Sequence, residues 1–434
     1  MNQLLIEAVR PILSGKKVLL GITGSIAAFK SIDTIRMLRE VGVEVRVVTT
    51  PSALEFVTLK TLETISGSEV GSDFWEESGT HHIDRARWAD VFVIAPASAN
   101  TIAKLNWGVA DNLLLAEALA YRGKFMIAPA MNPEMYRAES TQRNIQELRN
   151  KGIAFIGPDV GKTACGEVGQ GRKVEPEILI KAIASNLFSK SDEKKALVNL
   201  GPTTSDLDPV RFFTNRSSGK MGLAMVWALA TRGYDVTVVS GLEIGNTIHQ
   251  CFPVGTKVIN ARSTDEMASA TLKEFETTDV FVATAAVLDF EFEETKSLKL
   301  KKSKDESSLS VFNLKPTVDI LSKAGEQKKS NQFILGFAAE TDSLIDNATE
   351  KLKKKNLDAI FVNQAGGPAS VFGSNESSGM LIDTRIQNFA RTGKFQLAHQ
   401  ILAGLTLGSM TDVGKSESES NFKSTEAGPA SSEF

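Results

Sequence analysis

The chain has 434 residues, of which 42% are hydrophobic and 23% charged, as in an ordinary globular protein. At about 100–200 residues per domain, this length predicts two or three domains, each able to bury a core. A net charge of −3 argues against a general nucleic-acid binder, and two cysteines with four histidines argue against a disulfide scaffold or a multi-thiolate metal centre.

The start of the chain does not have the pattern of an export signal. Residues 1–15 carry Glu7, Arg10 and Pro11 inside an apolar stretch, which makes a poor signal peptide. No apolar run approaches the ~18 residues that a membrane-spanning helix requires. We therefore expect a cytoplasmic protein.

The first half of the chain alternates apolar, β-branched segments with segments of helix length. Lys17–Ile22 is predicted to be a strand, residues 23–25 a turn, and the following helix places apolar residues from Ile26 to Leu38 on one face. Further strands are predicted at residues 44–49, 91–95, 125–128 and 153–156. Strands that alternate with helices indicate a parallel sheet covered on both faces.

The second half repeats this organisation. Residues 185–195 are polar and charged, which is typical of a linker. A second series of strands is predicted at residues 196–200, 235–240, 257–261, 280–285, 333–338 and 359–363. The serine-rich residues 409–434 lack periodicity and predict a disordered tail. The expected fold class is therefore α/β, with two doubly wound domains.

Two glycine-containing turns resemble phosphate-binding motifs without matching them. Residues 157–163 have three residues between their glycines where a phosphate loop has four, and Pro158 removes one backbone donor. Residues 21–27 are not a dinucleotide fingerprint, yet they place small residues and a hydroxyl where a helix begins. Such a start favours a mononucleotide phosphate, and a plain tight turn is the alternative.

Three clusters in the first half contain polar or reactive side chains that packing alone does not explain. They are two histidines ahead of arginines at residues 81–88, an amide-bearing loop at 129–135, and a glycine-dense loop with one thiol at 164–172. Singly, each has a structural explanation, because lone histidines and cysteines are often inert. An imidazole, an amide and a thiol on loops of one sheet together favour a catalytic site.

Five stretches of this half are distinctive: residues 21–30 (GITGSIAAFK), 81–90 (HHIDRARWAD), 96–104 (PASANTIAK), 129–136 (PAMNPEMY) and 164–172 (ACGEVGQGR). They closely resemble the phosphopantothenoylcysteine decarboxylase family, flavoproteins of the homo-oligomeric flavin-containing cysteine decarboxylase type. Residues 201–222, 285–290, 336–341 and 353–363 resemble phosphopantothenate–cysteine ligase. The resemblance implies a flavodoxin-like decarboxylase domain at 15–188 and a Rossmann-like ligase domain at 195–408, the order of bifunctional bacterial coenzyme A biosynthesis enzymes.

For the first half, the resemblance implies an FMN cofactor that carries the difficult redox chemistry of decarboxylating an N-acylcysteine. His82 matches the family's essential histidine and is the expected base of the oxidation step. Asn132 would orient the substrate carboxylate, Cys165 would protonate the enethiolate, and Arg172 would help to hold the substrate. The FMN site would be lined by Gly24, Ser25, Thr49, Ser98, Ala99, Asn100, Thr101 and Ala130.

For the second half, the resemblance implies that CTP activates 4′-phosphopantothenate as an acyl-cytidylate, which the amine of cysteine then attacks. Asn215 would bind this intermediate and Arg211 would support it. Concentrated phosphate charge requires Mg²⁺, with Asp289 as a candidate ligand, and Lys299 would neutralise charge during activation. The other nucleotide positions are Ala283, Thr284, Ala285, Val318, Asp319, Ile320, Leu321, Phe337, Lys351 and Lys355.

Some features of the ligase half leave alternatives open. Residues 296–304 are lysine-rich, which by itself is typical of a solvated loop, and only the spacing from Asp289 favours a function for Lys299. Val318 stands where the family usually has proline, and Ser377 stands where it usually has asparagine. These departures leave the strictness for CTP open.

Two other functions fit parts of the sequence. A flavin-binding regulatory protein is disfavoured by the retention of His82, Asn132 and Cys165. A peptidyl-cysteine decarboxylase or a prenyltransferase relative is disfavoured by the fused ligase half. The resemblance also implies a homo-oligomer in which decarboxylase trimers with flavin sites at subunit contacts are linked by ligase dimers, up to a dodecamer. The expected partners are small molecules, without nucleic acid or membrane.

Overall fold

The computed structural model describes residues 3–74, 81–162, 164–188, 191, 193–299, 313–364 and 374–405. The tail predicted at 409–434 and the lysine-rich residues 300–304 lie outside the described residues. Within the described ranges, no helix is long and apolar enough to cross a membrane. Each half of the chain is built on one large sheet.

The first sheet has six parallel strands. They are β1 (Lys17–Ile22), β2 (Glu44–Thr49), β3 (Val70–Gly71), β4 (Val91–Ala97), β5 (Lys124–Pro129) and β6 (Ala154–Phe155). The order across the sheet is β3-β2-β1-β4-β5-β6. Without the two-residue edge strand β3 this is the flavodoxin order, which confirms the expected fold of this half.

Helices cover both faces of this sheet. They are α1 (Gln3–Leu13), α2 (Ser31–Glu40), α3 (Leu59–Ser66), α4 (His81–Trp88), α5 (Ala99–Trp107), α6 (Leu113–Ala120), α7 (Pro133–Arg137), α8 (Glu139–Asn150) and α9 (Pro176–Asn186). Short 3-10 helices follow β1 at Ile26–Lys30 and β2 at Pro51–Ala53. The antiparallel hairpin of β7 (Asp159–Lys162) and β8 (Val168–Arg172) precedes α9.

The second sheet has eight strands in the order β13-β12-β9-β14-β17-β18-β19-β20. Its strands are β9 (Lys195–Leu200), β12 (Asp235–Ser240), β13 (Lys257–Asn260), β14 (Val280–Ala283), β17 (Phe333–Glu340), β18 (Ala359–Gln364), β19 (Glu376–Ile382) and β20 (Ile386–Gly393). Two short antiparallel ribbons accompany it: β10 (Thr204–Asp206) with β11 (Phe212–Thr214), and β15 (Phe290–Phe292) with β16 (Leu314–Pro316). The six parallel strands of this sheet, β13, β12, β9, β14, β17 and β18, form a Rossmann-like sheet, as expected. Strands β19 and β20 extend it in the antiparallel sense.

The helices of the second half are α10 (Lys220–Ala230), α11 (Thr247–Gln250), α12 (Thr264–Phe275), α13 (Ile320–Gln327), α14 (Leu344–Lys354) and α15 (Lys394–Gly404). All eleven predicted strands coincide with observed strands to within two residues at each end. The prediction for residues 280–285 runs two residues past the end of β14, which lies at Ala283. The sequence analysis also missed β19 and β20, whose solvent-facing polar residues interrupt any apolar run.

The two halves share one continuous apolar core. Residues of α1 and α9 pack in the same cluster as residues of α10 and α15. Trp227 of α10 is fully buried, its ring centroid lies 6.4 Å from that of Phe188, and its indole N–H donates to the Cys251 carbonyl at 2.9 Å. The side chain of Lys181 crosses between the halves and donates to the Gln250 carbonyl at 2.8 Å.

A basic side chain of the first half is buried. Lys173 follows β8 and is 1% exposed, and its Nζ has no hydrogen-bond partner among the described residues. Burial, reinforced by the nearby Lys30 ammonium, lowers the pKa of Lys173 to about 7, although Glu175 and Asp33 act in the opposite direction. The folded protein therefore carries an amine that is costly to protonate.

We expect Lys173→Met to stabilise the protein most at acidic pH. Below about pH 7 the amine is charged in both states, so the folded state bears the full cost of the buried charge. Between about pH 7 and 10.5 the folded amine is neutral while the unfolded one stays charged, so wild-type stability rises with pH and the advantage of the variant shrinks. Chemical denaturation near pH 6 and near pH 9 measures this difference.

Lys60→Met is the matched control, because the Lys60 side chain is 86% exposed. We expect it to leave the free energy of unfolding nearly unchanged at both pH values. A gain for Lys173→Met that is larger near pH 9 than near pH 6 contradicts the assigned pKa shift.

Candidate active sites

Cavity A lies at the carboxyl edge of the first sheet and has a volume of about 630 Å³. The loops after β1, β4 and β5 and the β7–β8 hairpin surround it. Loops that follow parallel strands meet at one edge of a sheet, which explains how distant segments converge here. The cavity brings together Gly24, Ser25, Ser98, Ala99, Ala130, Asn132, Cys165 and Arg172, all of them predicted site residues.

One side of cavity A is formed by the starts of two helices. The Ser25 hydroxyl accepts from the Ala27 N–H at 3.3 Å, and the Ser98 hydroxyl accepts from the Thr101 N–H at 3.3 Å. The hydroxyl of Thr23 joins the two loops, since it donates to the Pro96 carbonyl and accepts from the Ser98 N–H, both at 2.9 Å. At Gly24, a Cβ atom would lie 2.5 Å from the Ser52 hydroxyl, so only glycine fits. Backbone N–H groups and hydroxyls at helix starts suit a phosphate.

Asn132 carries the central polar contact of cavity A. Its Oδ1 accepts from the Glu134 N–H at 2.8 Å and begins α7, which turns the amide nitrogen toward the hairpin. Its Nδ2 donates to a Glu167 carboxylate oxygen at 2.8 Å and lies 3.2 Å from the Cys165 sulfur. The structure therefore joins the predicted amide and the predicted thiol, and it adds a carboxylate that the sequence analysis did not single out.

Four predicted residues do not line cavity A. Thr101 lies behind Ser98, with 3.1 Å between their hydroxyl oxygens, and Asn100 beside it is exposed. Thr49 ends β2, and its buried hydroxyl has no hydrogen-bond partner among the described residues. His82 lies in the first turn of α4, with its ring 6.1 Å from that of Phe74 in an edge-on contact. Within the described part of one chain, the lining of cavity A therefore contains no imidazole.

Basic residues that the sequence analysis missed give cavity A a positive character. Lys30, Lys162 and Lys173 line it together with Arg172, while the described lining residues include no carboxylate. Glu175 ion-pairs with Arg172 and, at 2.9 Å, with Lys30. The hydrogen bond from Lys30 is the main cause that lowers the pKa of Glu175. Only Lys30 and Arg172 fall in the stretches that carry the resemblance. Nothing in the sequence around Lys173 predicts its burial, because that burial depends on tertiary packing.

Cavity B lies at the carboxyl edge of the second sheet and has a volume of about 410 Å³. Eleven of the predicted ligase residues line it: Asn215, Ala283, Ala285, Asp289, Val318, Asp319, Ile320, Leu321, Phe337, Lys351 and Lys355. Thr284 instead lines the adjoining cavity C of about 200 Å³, together with residues 216–222 at the start of α10. The two cavities share Ala285 and Phe337 and form one groove.

Two asparagines shape cavity B. The Nδ2 of Asn215 donates to the carbonyls of Ala286 and Val287, both at 3.1 Å. Asn199, at the buried end of β9, accepts from the Ala285 N–H at 3.2 Å with its side chain. Both therefore fix the loop that follows β14. The sequence analysis missed Asn199, which sits inside a predicted apolar strand.

The lysines of cavity B are held by carboxylates. Lys355 lies 2.9 Å from Asp319, and Lys351 lies 2.5 Å from Glu340. Burial acts to raise the pKa of Asp319, but hydrogen bonds from Ser322 and Lys355 outweigh it, so that the pKa is lowered. Two ammonium groups therefore face the groove in fixed places, as recognition of phosphate requires.

Two predicted ligase residues lie apart from the groove. Arg211 does not line either cavity; it pairs with the buried carboxylate of Asp208, 2.5 Å away. Lys299 is exposed and is the last described residue before residue 300. Within the described ranges, no cluster of three or more His, Cys, Asp or Glu could hold a metal ion.

Two family models cover most of the chain. The Flavoprotein model matches residues 8–188, and the model of the DNA/pantothenate metabolism flavoprotein C-terminal domain matches residues 191–407. The chain is 42% identical over 372 residues to the coenzyme A biosynthesis bifunctional protein CoaBC of Haemophilus influenzae, covering 84% of this chain and 90% of the relative.

Two further relatives match one or both halves. A cysteine/cysteine sulfinic acid decarboxylase from an unidentified prokaryote is 39% identical, covering 80% of this chain and 98% of the relative. Among solved structures, a PPC decarboxylase mutant complexed with pantothenoylaminoethenethiol matches with a TM-score of 0.36 and 35% identity, covering 39% of this chain and 96% of that one. With both family models matched in order, the chain belongs to the bifunctional coenzyme A biosynthesis family, in which a phosphopantothenoylcysteine decarboxylase flavoprotein domain precedes a phosphopantothenate–cysteine ligase domain.

Proposed function

We propose that cavity A is the decarboxylase site and holds FMN, and that cavities B and C form the ligase site and take CTP. The observation that carries the first assignment is the Asn132 amide, which holds the Cys165 thiol at the rim of a cavity lined by helix starts. We further propose that the functional units span residues 15–188 and 195–408.

The residues of cavity A fit a flavin mononucleotide. The hydroxyls of Ser25 and Ser98 and the adjacent helix starts suit its phosphate. Apolar side chains such as Ile26, Phe29 and Met131 suit a flat ring. Bound flavin would oxidise the substrate thiol to a thioaldehyde, so that the electrons of the departing carboxylate can delocalise onto sulfur, and would then return the hydride.

The other roles belong to side chains of this protein. The Asn132 amide orients the substrate carboxylate, because its Nδ2 points out of the α7 cap. The Cys165 thiol delivers a proton in the reductive step, and Arg172 helps to hold the anionic substrate. His82 is the base of the oxidation step.

His82 requires a second subunit in this scheme, since it does not line cavity A of its own chain. Apolar side chains around the cavity are strongly exposed, including Phe29 at 54%, Met135 at 50% and Val168 at 72%. Exposed apolar patches mark protein interfaces. We propose trimers through this surface, with the flavin site completed by His82 of a neighbouring copy.

A second exposed apolar patch lies on the ribbons of the ligase half. Phe212, Phe213, Phe290 and Leu314 are 44–54% exposed. We propose that this patch joins ligase halves into dimers, which would link the trimers into a dodecamer.

In the ligase half, the lysines of cavity B bind the phosphates of CTP and the start of α10 in cavity C takes the 4′-phosphopantothenate end. Asp289 is exposed at the rim of cavity B, where one carboxylate together with nucleotide phosphates meets the usual coordination of Mg²⁺. Asn215 binds the acyl-cytidylate, with Arg211 in support. Lys299 neutralises charge during activation.

One assay tests the whole assignment. The FMN-loaded chain should convert 4′-phosphopantothenate, cysteine, CTP and Mg²⁺ to 4′-phosphopantetheine, with release of CO₂ and pyrophosphate. A flavin-binding regulatory protein forms no product, and a free-cysteine decarboxylase releases cysteamine from cysteine alone. A purified chain that is colourless and does not take up FMN removes the decarboxylase assignment.

Cys165→Ser should stall the decarboxylase after CO₂ leaves, because serine is a much weaker proton donor than a thiol. We expect 4′-phosphopantetheine formation to fall about a hundredfold and an oxidised, decarboxylated intermediate to accumulate in mass spectra. Cys251→Ser is the control, since burial raises the pKa of that thiol to about 11 and Cys251 lines none of cavities A, B and C. Normal product formation by Cys165→Ser removes Cys165 from the mechanism.

Asn215→Asp should slow turnover of the acyl-cytidylate by about a hundredfold. The carboxylate cannot donate to the Ala286 and Val287 carbonyls, so it repels the loop that lines cavity B. Rapid-quench measurement of the intermediate gives the rate. Asn246→Asp serves as the control, because the Asn246 side chain accepts from the Ile248 N–H at 3.0 Å, a bond that aspartate also accepts. Unchanged ligase kinetics in Asn215→Asp contradict the assignment.

A further inference from the structure

The carboxylate of Glu167 accepts a hydrogen bond from the Asn132 amide, the same donor that is proposed to bind the substrate carboxylate. Asn132 can present only its Nδ2 to the cavity, because its Oδ1 is held by the Glu134 N–H at 2.8 Å. That nitrogen donates to Glu167 at 2.8 Å. A bond from an amide to a carboxylate is charge-assisted and stronger than a neutral one. Glu167 therefore satisfies Asn132 when no substrate carboxylate is present.

The hairpin that carries Glu167 has a fixed base and an open tip. At the base, the Gly171 carbonyl accepts from the Met131 N–H at 3.0 Å, and a Cβ atom on Gly171 would lie 2.4 Å from the Met131 carbonyl oxygen. At the tip, Gly166 has a φ of +89°, and no atom of the described residues lies within 4 Å of the place of a Cβ atom. Cys165 and Glu167 on either side of it are exposed. The tip can therefore move while the base stays packed on the loop before α7.

We propose that Glu167 is a positioning residue whose carboxylate exchanges with that of the substrate on the Asn132 amide. Two carboxylates cannot share the donor without like-charge repulsion, so the incoming substrate displaces Glu167. Loss of CO₂ leaves the substrate without its carboxylate, and Glu167 returns to Asn132. Because Cys165 is two residues away on the same tip, this return brings the thiol back to 3.2 Å from the amide at the stage that needs a proton.

This inference rests on the proposed function of Asn132, and its test uses binding instead of turnover. The full-length, FMN-loaded chain is titrated with two unreactive probes. One is 4′-phosphopantothenoyl-serine, which keeps the carboxylate and replaces the thiol by a hydroxyl. The other is its ethanolamine counterpart, which lacks the carboxylate. Calorimetry gives both dissociation constants.

In Glu167→Gln we expect the dissociation constant of the serine probe to fall about threefold to tenfold, because the resident hydrogen bond loses its charge. The constant for the ethanolamine probe should stay unchanged. Glu134→Gln is the matched control, since Glu134 is an exposed neighbour whose carboxylate pairs with Arg137. It should change neither constant.

Three results would overturn the exchange. The dissociation constants of both probes change equally in Glu167→Gln, neither constant changes, or Glu134→Gln gives the same pattern. The ligase rate of each variant, measured on the same preparation, reports that the chain is folded. A wild-type chain that makes no 4′-phosphopantetheine counts against the proposed function instead, so the two failures are distinct.

Discussion

Both candidate sites depend on the direction of parallel strands. Helical connections return the chain to the same edge each time, so the loops after β1, β4 and β5 meet around cavity A, and those after β9, β14 and β17 meet around cavity B. The topology of the sheet alone therefore makes neighbours of residues that lie far apart in sequence. Asn132 and Cys165, 33 positions apart, are close because β5 and the β7–β8 hairpin share this edge.

Within that framework, the two sites hold their charges differently. Cavity A combines a buried Lys173, whose ammonium has no hydrogen-bond partner in the described part of the chain, with a carboxylate, Glu175, that pairs with two cations. In cavity B each lysine has its own carboxylate, at 2.5 Å and 2.9 Å. A nucleotide entering cavity B therefore meets ammonium groups that are already oriented, which reduces the conformational entropy lost on binding.

Much of the fold could be predicted because apolar runs reveal buried parallel strands. Most of the residues that line cavity B were expected only because the sequence resembles a known ligase family. The residues that escaped prediction are those whose role depends on packing. Lys173 is an ordinary lysine in sequence and becomes exceptional only when the folded chain buries it. Asn199 lies within an apolar run. Glu167 accepts from Asn132, which is 35 positions away in sequence, so no local pattern reveals the contact. The reverse holds for His82. The sequence analysis singled it out, but in a single chain it does not line cavity A.

The first helix, α1, packs against α9 of the first half and against α15 of the second half. Its Leu5, Ile6, Val9 and Leu13 are each at most 4% exposed, so the helix closes an apolar strip at the junction of the two halves. A fragment that started at residue 15 would leave this strip open to water. Attempts to express either half separately should therefore treat residues 3–13 as part of the shared interior and not as a dispensable leader.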